Sequence, residues 1–141
     1  MTKNNGEGCI GNLFKGEIIT FEHGIPGFES FKDYILSDIE DTPPFKLLKA
    51  KEDENIAFVT IVPFDFKSDY EVKLTNEVID KLSIKEEEDV LILNTVTLNS
   101  DVKKITTNLR APLIINLQNN KGYQMILDRE DYKIKYPLLE E

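Results

Sequence analysis

The chain has 141 residues, 40% of them hydrophobic and 30% charged, which is about one domain's worth and apolar enough to fold. Its 26 acidic residues against 17 basic ones leave a net charge of −9, which opposes direct binding of nucleic acid and either suits a basic partner or serves only to keep the chain soluble. The single cysteine, Cys9, cannot close an intrachain bridge, and no apolar run approaches the roughly 20 residues of a membrane helix.

Residues 1–8 are polar, without the apolar stretch of a secretory signal, so a soluble intracellular protein with no membrane contact is expected. Residues 1–15 are rich in Gly and Asn and read as a poorly defined segment, or as an irregular first strand around 9–14. Residues 18–21 (IITF) are apolar and β-branched and read as a strand. HGIPGF at 23–28 places two glycines and a proline in six residues, which breaks helix and strand alike. This loop has a defined shape: Gly24 and Gly27 are its candidates for positive φ, and Pro26 fixes its own φ. One helical turn is expected over 29–33, then a strand over 34–36, acidic and proline punctuation up to Pro44, and a strand over 45–48. Asp53, Glu54 and Asn55 make a turn, and 56–62 forms a central strand ended by Pro63. Residues 64–69 form a loop carrying aromatics, and 70–74 alternate apolar and polar as a half-buried strand does.

Residues 76–82 are the clearest helix, with Thr75 as N-cap, Glu77 at the positive end of the dipole, and Val78, Ile79 and Leu82 on one face. A helix this short needs a sheet to pack on, so it plugs or flanks the strands. Residues 85–89 form an acidic solvated loop, 90–98 (VLILNTVTL) the longest strand, and 99–101 a turn. Residues 105–109 carry no decisive pattern. Residues 113–117 and 123–127 pair as a hairpin across the Asn/Gly loop 118–122. Eight or nine short strands, one or two short helices and no βαβ alternation predict a mainly β fold, a small antiparallel β-barrel. Ile19, Phe21, Phe58, Val59, Ile61, Leu91, Leu93, Val96, Ile114 and Ile126 are the expected core.

The residues offer no enzyme signature. His23 is the only histidine, so any Ser/His/Asp or Cys/His system has to use it, and in a Gly/Pro loop it reads as a solvent- or backbone-facing side chain. One Cys and one His do not furnish a zinc set, and no phosphate-binding glycine loop, dinucleotide fingerprint or HExxH motif is present, so no metal and no cofactor is expected. Glu86, Glu87, Glu88 and Asp89 lack the spacing of a calcium loop. What remains is a binding surface. Phe64, Phe66 and Tyr70, with Asp69 beside them, are the candidate partner-binding residues, since aromatics are enriched at interface centres. The same residues read equally well as the cover of one open barrel end.

Several motifs carry a family resemblance. IITF runs into HGIPGFE at 23–29, followed by AFV at 57–59, Pro63 with Phe64, and Asp69 with Tyr70. Thr97 and Leu98, TNL at 107–109, APLIIN at 111–116, GYQMIL at 122–127 and YPL at 136–138 follow in order. Over roughly residues 16–138 the chain resembles the FliW family of bacterial flagellar assembly factors, with the glycine-rich 6–17 departing from the family's pattern and 139–141 as a tail. The resemblance implies a cytoplasmic, non-enzymatic β-barrel. It further implies binding to CsrA, a small dimeric RNA-binding protein, relief of CsrA's repression of flagellin messenger RNA, and binding to flagellin itself. The alternatives are a flagellin export chaperone without a regulatory role, and a small-ligand carrier or enzyme with its site in the barrel mouth.

Overall fold

The structure, a computed structural model, describes residues 2–4, 15–39 and 45–138. Seven strands close a ring: β2 (Lys15–Thr20), β3 (Asp33–Asp38), β4 (Phe45–Ala50), β5 (Ala57–Ile61), β7 (Val90–Thr97), β9 (Leu113–Asn116) and β10 (Lys121–Gln124). The eight-residue β7 makes closure possible. Its first half, Val90 to Leu93, pairs with β9, and its second half, Asn94 to Val96, pairs with β5. Six seams of the ring are antiparallel. The seventh, β10 on β2, is parallel and minimal: Lys121 stands opposite Thr20, and the Thr20 N–H donates to the Asn120 carbonyl at 2.9 Å. The end of β7 also carries a flap outside the ring, β8 (Thr106–Thr107) followed by β11 (Tyr136–Pro137). β1 (Thr2–Asn4) pairs with β6 (Glu71–Lys73) as a separate ribbon.

Two cores lie on either side of the β7–β9 wall. Inside the ring, Ile19, Phe21, Tyr34, Leu36 and Leu48 meet Leu91, Leu93, Leu113 and Ile115. Outside it, Val90, Ile92 and Ile114 meet Tyr70, Val72, Val78, Leu82 and Tyr132. Successive side chains of a strand point to opposite faces, so a wall covered on both sides is apolar at every position, as VLIL and LII are.

The helix α1 (Asn76–Leu82) has the bounds expected of it and flanks the barrel on that outer face. The Val78 N–H donates to Thr75 Oγ1 at 3.2 Å. The helix ends on Ser83 in the left-handed region, and the Ile84 N–H donates back to the Ile79 carbonyl at 2.9 Å. Asn116 and Asn119 then donate side-chain N–H groups to the last helical carbonyl, that of Leu82, at 2.8 and 3.0 Å. Those two bonds fasten the helix end to the β9–β10 hairpin.

Several expectations change. Residues 29–33 form no helical turn but a non-helical one, with a single Phe31 N–H to Phe28 carbonyl bond. The β9–β10 loop is shorter than expected, because Lys121 and Gly122 already pair with Asn116 and Ile115. β10 accordingly ends at Gln124, and Ile126 is 69% exposed instead of core. Phe58, Val59 and Val96 are half-buried, while Ile19, Phe21, Ile61, Leu91, Leu93 and Ile114 are fully buried. Residues 105–109 supply the short β8. The irregular strand expected at 9–14 and the punctuation at 40–44 lie outside the described residues.

Candidate functional site

The aromatic loop is built on proline. Pro63 is buried and starts a 3-10 turn (Pro63–Asp65), where its fixed φ suits the first position and its missing N–H costs nothing. Its carbonyl accepts the N–H groups of Phe66 and Lys67 at 3.2 and 2.9 Å, and the Tyr70 N–H donates to the Lys67 carbonyl at 3.1 Å. These bonds hold Phe64 and Phe66 half-buried at the surface. The Phe64 ring leans on Tyr70 at 5.9 Å, and the Phe66 ring lies 5.9 Å from Tyr136. In the same stretch of chain Asp65, Asp69 and Glu71 are exposed, and the Lys67 ammonium lies over the Tyr136 ring beside Phe66. Asp69 is 3.1 Å from the Lys67 ammonium. That hydrogen bond lowers the Asp69 carboxyl below its ordinary value and raises the lysine.

Tyr70 is placed differently from Phe64, Phe66 and Asp69. It is wholly buried, so it lies beneath the surface and has no face to offer a partner. Its hydroxyl donates to the Leu109 carbonyl at 2.5 Å and accepts from Asn94 Nδ2 at 3.3 Å, while that same amide donates to the Asn108 carbonyl at 2.6 Å. Burial pushes its phenol far above the ordinary value. Tyr132 packs on it at 4.8 Å and accepts the Glu71 N–H at 3.0 Å. Arg129 lies 4.1 Å over the Tyr132 ring and forks onto Asp131 at 2.8 and 2.7 Å, which pulls that carboxyl down to about 2. The aromatic patch is thus a surface layer on a hydrogen-bonded second layer. Sequence reading missed Asn94 and Tyr132, whose partners lie 24 and 61 residues away along the chain.

The second motif, HGIPGF, forms a separate loop. Gly24 and Gly27 both have positive φ, +72° and +90°. Gly24 is further constrained by packing, because a Cβ there would stand 2.7 Å from Glu29 Cα. Gly27 faces open space and Pro26 is exposed. The loop is anchored by buried Ile25 and by Phe28, whose ring meets Phe58 edge-on at 5.1 Å. His23 is exposed, with its ring 5.9 Å from that of Tyr123. Among the described residues no three His, Cys, Asp or Glu side chains gather as a metal set, and no helix is long and apolar enough to cross a membrane.

Comparison with known proteins gives one consistent result. The family model described as "FliW protein" matches residues 10–138. A "Flagellar assembly factor FliW" from Clostridium tetani (strain Massachusetts / E88) is 54% identical over 125 residues, which is 89% of this chain and 86% of that protein. Another of the same description, from Clostridium botulinum (strain Alaska E43 / Type E3), is 53% identical over 123 residues, 87% of each chain. Among solved structures, a crystal structure of the flagellar assembly factor FliW superimposes with a TM-score of 0.82 at 33% identity, covering 99% of this chain and 96% of that one.

Proposed function

The chain belongs to the FliW family of flagellar assembly factors, and from that premise we propose that it acts in the cytoplasm by binding CsrA, so that CsrA no longer represses flagellin messenger RNA, and that it also binds flagellin. The observation that carries this reading is family membership over nearly the whole chain. Two physical features support it. The net charge of −9 suits a partner that must itself be basic to hold RNA. The half-buried rings of Phe64 and Phe66, with the exposed Asp65, Asp69 and Glu71 in the same stretch of chain, have the mixed apolar and charged make-up of an interface. The contact on this reading comprises Phe64, Phe66 and Asp69, with Tyr70 as its support from behind. The protein works by occupying its partners and transforms no substrate.

Titration of the purified protein with CsrA, and separately with flagellin, by calorimetry tests the proposal. Both bind if it is right. Association with CsrA should slow as salt rises toward about 1 M, where the Debye length is only about 3 Å. A folded protein that binds neither partner would sink the proposal, and one that binds flagellin alone would leave an export chaperone in its place.

A further inference from the structure

The YPL motif at 136–138 comes down beside the aromatic loop, although it lies far along the chain from it. Tyr136 of β11 pairs with Thr107 of β8, which in turn pairs with Val96 of the barrel strand β7. Just beyond it, the Leu138 N–H donates to the Ile105 carbonyl at 3.1 Å. The Tyr136 backbone is therefore held in a ladder that leads back to the barrel wall, whereas Phe64 and Phe66 stand on a 3-10 turn and its exit. The Tyr136 side chain is half-buried and packs on the outer core, as those of Phe64 and Phe66 do. Its ring lies 5.9 Å from the Phe66 ring at an interplanar angle of 32°, a separation at which aromatic pairs attract. Lys67 makes a second tie. Its ammonium stands over the Tyr136 ring, 5.7 Å from the centroid, and 3.1 Å from the Asp69 carboxylate. The lysine side chain is 22% exposed and that of Asp69 81%, so the cation is the inner member of the pair.

We propose that Tyr136 is a further contact residue of the partner-binding surface, and that Lys67 is a positioning residue that fixes the aromatic loop on it. This rests on the reading of Phe64, Phe66 and Asp69 as the partner contact. Tyrosine is among the residues that carry binding energy at interfaces, because it brings a large rigid ring with few rotatable bonds. A tyrosine whose backbone already sits in a ladder loses little further freedom on binding. Phe66 gains the same advantage only through its neighbours: the stack on Tyr136, and the bridge that Lys67 makes from Asp69 to that ring. The sign of the Lys67 effect identifies its role. A partner that holds RNA is basic, so a lysine that acts by its charge alone repels it. Removing that charge then tightens binding, the more so because Asp69 is left as a free carboxylate. A lysine that acts by holding the loop does the opposite, and its removal weakens binding.

The test is calorimetric titration of the full chain and its variants with CsrA, with urea denaturation of each variant alongside to show that it is folded. Tyr136→Leu keeps apolar bulk and loses the ring, and should weaken binding about tenfold. Tyr136→Phe keeps the ring and should stay within about twofold of the unmodified chain. If the leucine variant fails to fold, Tyr136→Val, a better strand former, takes its place. Lys67→Met keeps most of the stem without the charge and should weaken binding about threefold or more. Lys67→Arg restores a cation over the ring and a donor for Asp69, and should recover most of that loss. Binding by Tyr136→Leu as tight as that of the unmodified chain, or a loss in Tyr136→Phe as large as in Tyr136→Leu, would overturn the contact. Unchanged or tighter binding by Lys67→Met would overturn the positioning role. Those results leave the function proposed above standing, whereas a folded, unmodified chain that does not bind CsrA removes that function and this inference together.

Discussion

The two faces of β7 meet different surroundings. Leu91 and Leu93 point into the ring, where the buried neighbours are aliphatic or aromatic. Val90 and Ile92 point outward, under α1 and onto a layer that includes Tyr70 and Tyr132, with the buried Asn94 next along the strand. The inner core is held by shape and by the closed ladder around it. The outer core adds a chain of hydrogen bonds from Asn94 through Tyr70 to Leu109, and one from the Glu71 N–H to the Tyr132 hydroxyl. A barrel interior can be built from alternation alone. A surface that has to present aromatics on a fixed loop needs directional bonds beneath it, since apolar contacts do not fix orientation.

The difference is sharpest where one side chain is removed from the shared wall. Ile114 of β9 is fully buried on the outer face, and Ile114→Ala should cost about 2–5 kcal/mol in chemical denaturation. A cost below about half a kcal/mol would place the residue at the surface and break the two-core description. Next comes the parallel seam. A Cβ at Gly122 would stand 2.6 Å from the Phe21 ring of the inner core, so Gly122→Ala should destabilise by about 1–3 kcal/mol through overpacking. Phe21→Leu in the same chain should recover part of that loss, which distinguishes a steric cause from a backbone one.

The alternating and capping signals were readable before any coordinates, because their physics is local. Thr75, Glu77 and the Val78–Leu82 spacing mark α1 within one stretch of chain, and the continuous apolar run from Val90 marks a strand buried on both faces. The GIPGF loop was readable for the same reason: φ sign and proline geometry are properties of the residues themselves. Tyr70 was misplaced because its neighbours in sequence are aromatic and polar loop residues, while the partners that bury it are Asn94, Leu109 and Tyr132. Ile126 was misplaced because β-propensity continues through YQMIL after the ladder has ended at Gln124. The flap lay hidden in a segment of two-residue strands, too short for periodicity to register.

The outer layer has a signature in pH. The Tyr70 phenol is raised by burial, so the folded chain keeps it neutral above the ordinary pKa near 10 while the unfolded chain ionises there. The unfolded state then binds fewer protons, and stability should fall as pH climbs from about 10 toward the folded value. Tyr70→Phe should cost about 1 kcal/mol or somewhat more near neutral pH, by stranding the Leu109 carbonyl and one hydrogen of the Asn94 amide, which keeps its bond to Asn108, and should flatten that alkaline decline. Thermal melts of both proteins between about pH 8 and about pH 11 give the two slopes. Identical slopes would mean that the phenol is not the group responsible.

The smallest effect is expected just past the end of β10, where it checks which face of the chain is inside. The Met125 N–H donates to the Pro112 carbonyl and the Leu127 N–H to the Arg110 carbonyl, at 3.0 and 2.7 Å, which turns those two side chains inward and Ile126 outward. Ile126→Ala should therefore change stability by no more than about half a kcal/mol. Leu127→Ala, one residue on, should cost about 2 kcal/mol or more, because its side chain is packed in the outer core. A slip of one residue exchanges the two faces of an extended segment, so it exchanges the two results. Measured side by side in urea, the pair reads the register of this segment directly, and an Ile126→Ala loss exceeding that of Leu127→Ala would place Ile126 in the core after all.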